Sequence, residues 1–449
     1  MTPDLQSAEA VVEAAHERVN GVNPEVNAVL SKIASYDDAA NHLSDNLPLR
    51  SQALLVKDCI DIAGYPTSHG SEIYHGSEPK QHDAEVVRRV KAAGMVIVGK
   101  AHLTEFCFGA TGENAYYGDC RNPWDLERIT GGSSSGSAAA VAAGITRYAI
   151  GTDTGGSVRV PASLCGVVGL RPTLGRVSNR GVLDVSTICD TVGPLAPTVA
   201  EVAQLFGAMA GYDPADPLSI PDDGVDPLAR IGVPLNGLRI AVPHSFFGEN
   251  LQEEVANAVD DAVRVLEGLG AKIVRIGLSN TEALQAHSTF RFVLADVADA
   301  RRDLMARYAD RIGPEVRRRI ELGQQVSGQD YASCIRVLWR WKAELRSIFS
   351  DHADVMLTPT CPVTAPLWKD SRDMVESTRL VARMTYDLGA SGVPSMSVPC
   401  GFDRKGLPIG MQLSAAWGRE DLLFQVGAAY QEKVDFHQQH PAKFAHLFG

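Results

Sequence analysis

Apolar positions alternate with polar ones at two different periods along this chain. In residues 8–20 they recur every three to four positions (Ala8, Val11, Val12, Ala15, Val19), the spacing of an amphipathic helix. SQALLVKD (51–58) is a short apolar run that predicts a strand ending at Lys57. A helical pattern over 84–93 is followed by MVIVGK (95–100), a buried strand. Residues 198–210 and 251–268 predict helices, the second between the strands 237–243 and 271–276. Strand-like patterns return at 354–360, 395–399 and 409–413, and a helix over 419–432 closes the series. Helices alternating with strands predict a mixed, twisted β-sheet covered on both faces by helices, an α/β fold.

Between these elements lies the most unusual stretch, Gly131 to Ser157, GGSSSGSAAAVAAGITRYAIGTDTGGS. It has a Gly/Ser loop at each end, with a small-residue helical run and a short apolar strand between them. Residues 213–237 are rich in Pro and Asp and predict a long surface connection. Residues 283–349 are mostly helical and hold much of the charge. They read as a helical insertion or cap within a single domain spanning 1–449. Phe290, Phe292, Trp339 and Trp341 in that region have the spacing of core residues.

Composition narrows the class. The 449 residues are 45% hydrophobic and 21% charged, with a net charge of −12. That balance argues against non-specific binding to nucleic acid. The one dense basic run, Arg317-Arg318-Arg319, is flanked by Glu315 and Glu321 and reads as a solvated helix face. No apolar run is long enough to span a membrane, and the first residues lack the apolar core of a secretory signal. The eight cysteines form no CxxC pair, which argues against zinc and suits a reducing, cytoplasmic setting. Neither His69, His75 and His82 nor His437, His440 and His446 have metal-site spacing, so no metal is expected.

The central stretch matches several motifs in part. GGSSSG opens like a phosphate loop, but Ser137 stands where that loop needs lysine. Gly132-x-Ser134-x-Gly136 fits a nucleophile elbow, yet it follows the polar RNPWDLERIT rather than a buried strand. Ser77-x-x-Lys80 contains Pro79 and lacks the partner motifs of a penicillin-recognising enzyme. A fourth reading uses the whole stretch. Gly155 and Gly156 let the backbone bend beside Ser157, so that N–H groups can face a reacting carbonyl. Ser157 attacks only if a base takes its proton, and no histidine lies from 103 to 243. A lysine can serve instead, and a second serine can bridge lysine to nucleophile because a hydroxyl both donates and accepts.

At this point the chain resembles the amidase signature family. The resemblance is carried by LLVKDCIDIAG around Lys57, by GGSSSGSAAAVAAG, and by GTDTGGSVRVPASLCGVVGLRPT. LTPTCP (357–362) and GVPSMSVPCGFDRKGLPIGMQL (392–413) extend it over roughly residues 50–430. It implies Lys57 as base, Ser133 as bridging serine held after a cis peptide from Gly132, and Ser157 as acyl-enzyme nucleophile. It further implies an oxyanion hole from the N–H groups of Thr154, Gly155, Gly156 and Ser157, and an acyl pocket near Cys107, Phe108 and Gly109. Arg159 either meets an anionic substrate or braces Asp153, and bracing is favoured. Ser134 and Ser137 are expected to satisfy loop N–H groups or cap the following helix. Two positions depart from the family pattern: Cys59 stands for the common Asn, and Ser135 for the usual Gly.

The activity implied is hydrolysis of a carboxylic amide C–N bond of a small-molecule substrate, without metal or organic cofactor and often in a homodimer. Carbamates, ureas and esters suit the same nucleophile. A glutaminase subunit of a tRNA-dependent amidotransferase is another alternative. There the family carries a glutamine-binding Asp before an N-L-A-G segment, where this chain has Ala382 and then Gly389-Ala390-Ser391-Gly392. Loops 103–118 and 178–192 and the helices of 283–349 are expected to shape the pocket, with an aryl or medium hydrophobic acyl group preferred.

Overall fold

A computed structural model describes residues 7–37, 49–221, 224, 226–283 and 289–448. Its strands are β1 (Val29–Ser35), β2 (Ala53–Lys57), β3 (Val96–Ala101), β4 (Arg121–Asn122), β5 (Asp125–Ile129), β6 (Tyr148–Asp153), β7 (Val168–Arg171), β8 (Thr191–Ala196), β9 (Arg239–Pro243), β10 (Lys272–Ile276), β11 (Val355–Pro359), β12 (Ser395–Phe402) and β13 (Pro408–Ala415). Eleven form one sheet in the order β1-β3-β2-β6-β8-β7-β12-β13-β11-β9-β10, and β4 and β5 pair separately. The sheet is mixed. Strands β3, β2 and β6 run parallel, as do β11, β9 and β10, while the middle is antiparallel. This is a single α/β domain of the expected class.

Strand alternation explains why helices cover both faces. In β2, Leu54 and Val56 point into one apolar cluster and Leu55 into another. In β3, Ile97 joins the first cluster while Val96 and Val98 join the second. The second face is covered by helices Ala8–Val26 and Ser135–Ala142. Every residue of Ser135–Ala142 is buried, and its small side chains let it lie close on the sheet. A Cβ at Gly136 would stand 2.2 Å from the Ala28 carbonyl oxygen.

Strands β1 and β8 and helix Arg159–Cys165 are among the elements that escape the apolar pattern. Strand β1 reads VLSKIAS, with polar residues facing outward at a sheet edge. Strand β8 contains Gly193 and Pro194, and helix Arg159–Cys165 contains Pro161. Proline and glycine mask the periodicity there, and tertiary burial sets the conformation instead.

The 283–349 region is helical as expected: Thr289–Ala300, Arg302–Tyr308, Pro314–Gln324 and Gly328–Ser347. Residues 284–288 lie outside the described residues. These helices pack on one another and on helices Met374–Val381 and Tyr386–Ser391. Phe292 and Trp341 are core residues. Trp339 departs from the expectation: it is 58% exposed, with Lys342 over its ring. The side chain of Phe290 lies outside the described residues.

Asp387 is fully buried on helix Tyr386–Ser391, next to Leu388 of the apolar cluster around Trp341. Neither of its carboxyl oxygens has a hydrogen-bond partner among the described residues. Burial pushes its pKa well above the ordinary carboxylate range, with Arg383 opposing. The folded state therefore keeps this proton to higher pH than the unfolded chain does. Its stability is complete below the ordinary Asp pKa of about 3.9 and declines as pH rises above it. Asp387→Asn should remove that decline and stabilise the protein at pH 8 by on the order of 1–3 kcal/mol, measured by thermal melting across pH. An unchanged pH slope would contradict a buried neutral carboxyl at this position.

Candidate active site

The parallel pairing of β2 with β6 builds the site. Leu54, Leu55 and Val56 pair with Tyr148, Ala149 and Ile150, so both strands end on the same edge of the sheet. The carboxyl ends of parallel strands are where an open α/β sheet gathers ligands. Here β2 delivers Lys57, and β6 delivers Thr152 and Asp153. The loop before helix Ser135–Ala142 arrives at the same edge with Ser133, and the Gly132–Ser133 peptide is cis.

Lys57 is fully buried. Its Nζ donates to Ser133 Oγ and to Thr152 Oγ1, each at 2.8 Å. By contrast, Lys100 of the neighbouring strand is salt-bridged to Asp58 at 3.0 Å. The two hydroxyls on Lys57 are uncharged, so these bonds give the amine no carboxylate partner. Ser157 lies on the adjacent turn and is only half-buried. The N–H of Ser134 donates to the Ser157 carbonyl oxygen at 3.1 Å, which holds the two loops against each other.

The turn that carries Ser157 is organised by Asp153. Arg159 donates to both carboxylate oxygens of Asp153, at 2.9 and 3.0 Å, and Arg171 donates at 3.1 Å. All three side chains are fully buried. Burial alone would raise the Asp153 pKa. The two guanidiniums, Arg159 before Arg171, outweigh it and hold the carboxyl well below the usual range. Arg159 therefore braces Asp153, the favoured of its two expected roles. The N–H groups of Gly156 (2.8 Å) and Val158 (3.1 Å) also donate to this carboxylate. This differs from the expectation for Gly156: its N–H is taken by Asp153, leaving Thr154, Gly155 and Ser157 as the candidate oxyanion donors.

Two glycines allow the turn. Gly156 has φ 138°, a region that side chains disfavour, and a Cβ there would sit 2.1 Å from Thr385 Oγ1. A Cβ on Gly155 would stand 2.4 Å from the Tyr386 ring.

Ser134 and Ser137 are structural, by a different route from the one expected. Ser134 Oγ both accepts from the Thr152 N–H (3.2 Å) and donates to the Thr152 carbonyl (3.1 Å), and Ser137 Oγ donates to the Ile150 carbonyl (3.0 Å). They stitch the helix to β6 rather than cap it. Ser134, fully buried, is thus not placed as an elbow nucleophile. At the two departures from the family pattern, Ser135 Oγ meets His102 Nδ1 at 3.0 Å, and Cys59 Sγ lies 3.8 Å from Thr152 Oγ1.

A narrow cavity of about 20 Å³ opens onto Ser157, between the 154–157 turn, Cys107 to Ala110, and Val185. Loops 103–118 and 178–192 thus contribute as expected, and Cys107, Phe108 and Gly109 are wall residues. Cys107 is buried, and its Sγ lies 3.9 Å from Thr152 Oγ1. Burial works to raise this thiol's pKa; the hydrogen bond with Cys59 and, when Lys57 is protonated, its charge outweigh it and hold the pKa below the ordinary thiol range.

Helices Thr289–Ala300 and Pro314–Gln324 supply two wall residues that sequence reasoning missed, Val293 and Arg319. Arg317 and Arg318 do form the solvated face expected of the basic run, with Glu321 and Glu315 within 4.0 and 3.4 Å. Arg319 corrects the expectation: it is 1% exposed and turned inward. Its guanidinium lies 4.4 Å from the Phe108 ring centroid and is hydrogen-bonded to Tyr386. Helical phase was the available signal. Val316, Ile320 and Gly323 are buried with Arg319, so one stripe of Pro314–Gln324 faces in.

A mixed α/β sheet with these loops at its edge defines a class, and sequence comparison names it. The Amidase family model matches residues 10–424, and the chain belongs to this family of C–N hydrolases. It is 36% identical over 471 residues to the glutamyl-tRNA(Gln) amidotransferase A-subunit of a Cyanothece species, covering 97% of this chain and 96% of that protein. The structure of the corresponding A-subunit from Thermotoga maritima is similar with a TM-score of 0.82 and 33% identity, over 95% of this chain and 91% of that one. The structure of 6-aminohexanoate cyclic dimer hydrolase with its substrate is similar with a TM-score of 0.87 and 29% identity, over 98% and 96%. Among the described residues no helix is long and apolar enough to cross a membrane.

Gly155→Ala tests how closely the turn is packed. The added methyl meets the Tyr386 ring, so the variant should lose on the order of 1–3 kcal/mol of stability and most of its activity. Melting temperature and turnover near wild type would show that the turn has room to spare.

Proposed function

We propose that this chain hydrolyses the C–N bond of a small carboxamide through an acyl-enzyme on Ser157, with Ser133 and Lys57 as the proton relay. The observation that carries the reading is the pair of 2.8 Å hydrogen bonds joining buried Lys57 to Ser133 and Thr152. Lys57, uncharged, takes the Ser133 proton as Ser133 takes that of Ser157. The Ser157 oxygen bonds to the carbonyl carbon, and the oxyanion rests on the N–H groups of Thr154, Gly155 and Ser157. The proton returns through Ser133 to the leaving nitrogen as the C–N bond breaks. Water then repeats the sequence on the ester.

Arg319 extends the reading to the acyl group. A buried guanidinium in the cavity wall suits a carboxylate on the substrate's far end. This displaces the sequence-based preference for an aryl or hydrophobic acyl group. The curated relatives are amidotransferase A-subunits over nearly their whole length, and their weight favours the glutaminase-subunit reading over a free-standing amidase. In that reading the chain works with partner subunits and feeds ammonia to them. One observation favours a free-standing amidase for a different anionic amide: Ala382 lines the cavity where the family resemblance puts a glutamine-binding Asp. Without that carboxylate, the α-ammonium of glutamine has no counter-charge at this position.

Two measurements test this. Ser157→Ala should abolish ammonia release from succinamate, glutaramate and glutamine, while Ser134→Ala stays folded and retains some activity. Turnover by Ser157→Ala near the wild-type rate would remove Ser157 from the mechanism. Arg319→Met should raise KM for succinamate and glutaramate by at least tenfold and leave butanamide unaffected. Equal effects on charged and neutral amides would show that Arg319 does not read a carboxylate. Glutamine preferred over glutaramate would favour the glutaminase reading, and the reverse order the free-standing amidase.

A further inference from the structure

Asp190 joins two sides of the cavity and belongs to no role assigned above. It lies at the end of the 178–190 loop and is 7% exposed. Its Oδ1 accepts from the Thr154 hydroxyl at 2.6 Å. Its Oδ2 accepts from the N–H groups of Val185 at 2.7 Å and Ser186 at 2.9 Å. Thr154 belongs to the turn that carries Ser157 and the oxyanion donors, and Val185 is part of the facing wall. The next link runs outward: Ser186 Oγ donates to Asp296 Oδ2 at 2.5 Å, on helix Thr289–Ala300, whose Val293 is also in the wall. Asp190 is held from behind as well, since Asn179 Nδ2 donates to its carbonyl oxygen at 2.7 Å.

We propose that Asp190 is a positioning residue for acyl transfer: it fixes the Thr154 turn against the Val185 wall, so that the oxyanion donors and the acyl pocket keep one spacing. The inference rests on the Ser157 acyl-enzyme reading. Burial raises the Asp190 pKa to about 7, opposed by the Thr154 hydroxyl and the Val185 and Ser186 N–H groups; in the ionised form its bonds to these neutral donors are about twice as strong as neutral ones. A carboxylate is also the group that can serve all three donors at once. An Asn can take the two N–H groups on its oxygen and donate its NH2 to the Thr154 hydroxyl, which also accepts, so Asn keeps the link in neutral form and Ala is the substitution that removes it. Oxyanion stabilisation depends on donors held within a fraction of an ångström before the charge forms. Loosening one end of this link therefore slows attack at Ser157, although Asp190 touches no reacting atom.

The test is the second-order rate constant for labelling of the full chain by a fluorophosphonate. In that reaction the Ser157 Oγ–P bond forms, the P–F bond breaks, fluoride leaves, and the serine proton passes to the base. The phosphoryl oxygen takes the oxyanion's place. Thr154→Val and Asp190→Ala should each label at least tenfold more slowly than wild type. Thr154→Ser, which keeps the hydroxyl, should recover at least fivefold of the rate that Thr154→Val loses. The double variant, Thr154→Val with Asp190→Ala, should be within twofold of the slower single variant, because both cut one link. If Asp190→Ala does not fold, the contrast between Thr154→Val and Thr154→Ser decides alone. Labelling of Thr154→Val within twofold of wild type, or effects that multiply in the double variant, would overturn the inference. Ser157→Ala is the control: if it labels as wild type does, the acyl-enzyme reading itself falls, and this inference with it.

Discussion

Asp153 is the buried charge on which the catalytic turn is built. It ends β6 and receives Arg159, Arg171 and the backbone N–H groups of Gly156 and Val158. A carboxylate taken this far from water is tolerated only when such partners replace its hydration. In return it fixes the direction of the chain between β6 and helix Arg159–Cys165, which is the stretch that presents Ser157. Removing one member of a buried set like this costs about 3–5 kcal/mol, because the charges left behind have no solvent. The same arrangement engages the Gly156 N–H with Asp153 and leaves Thr154, Gly155 and Ser157 as the candidate donors.

From that turn the site extends in two directions. Toward the sheet, parallel pairing of β2 with β6 brings Lys57 beside Thr152, and the loop before Ser135–Ala142 brings Ser133 to the same amine. Toward the cap, Tyr386 packs on Gly155 and is hydrogen-bonded to Arg319, which lies over Phe108. In the proposed function the chemistry comes from the sheet edge, and the selectivity from helices packed over it. That division suits a family in which one hydrolytic step serves different substrates.

Much of this is legible in local pattern alone. The strand ending at Lys57, the small-residue helix after Ser133 and the apolar strand before Asp153 all follow from it. The three residues proposed to react stand in the motifs that carry the family resemblance. What stays hidden is tertiary. Strands β1 and β8 carry polar residues, Gly or Pro, so their burial is set by neighbours rather than by period. Arg319 is hidden by composition: three arginines in a row read as a solvated face, while helical phase turns one of them inward. The engagement of Gly156 with Asp153 and the link through Asp190 join residues whose proximity no local pattern encodes.

Central to the proposed mechanism is an uncharged amine at position 57 that removes the proton and frees Ser157 to attack. Chemical rescue measures this most directly. Lys57→Ala, assayed on succinamate with added methylamine across pH, should be nearly inactive alone and regain activity in proportion to the unprotonated amine. Full activity without added amine, or rescue that follows the protonated form, would contradict a lysine base.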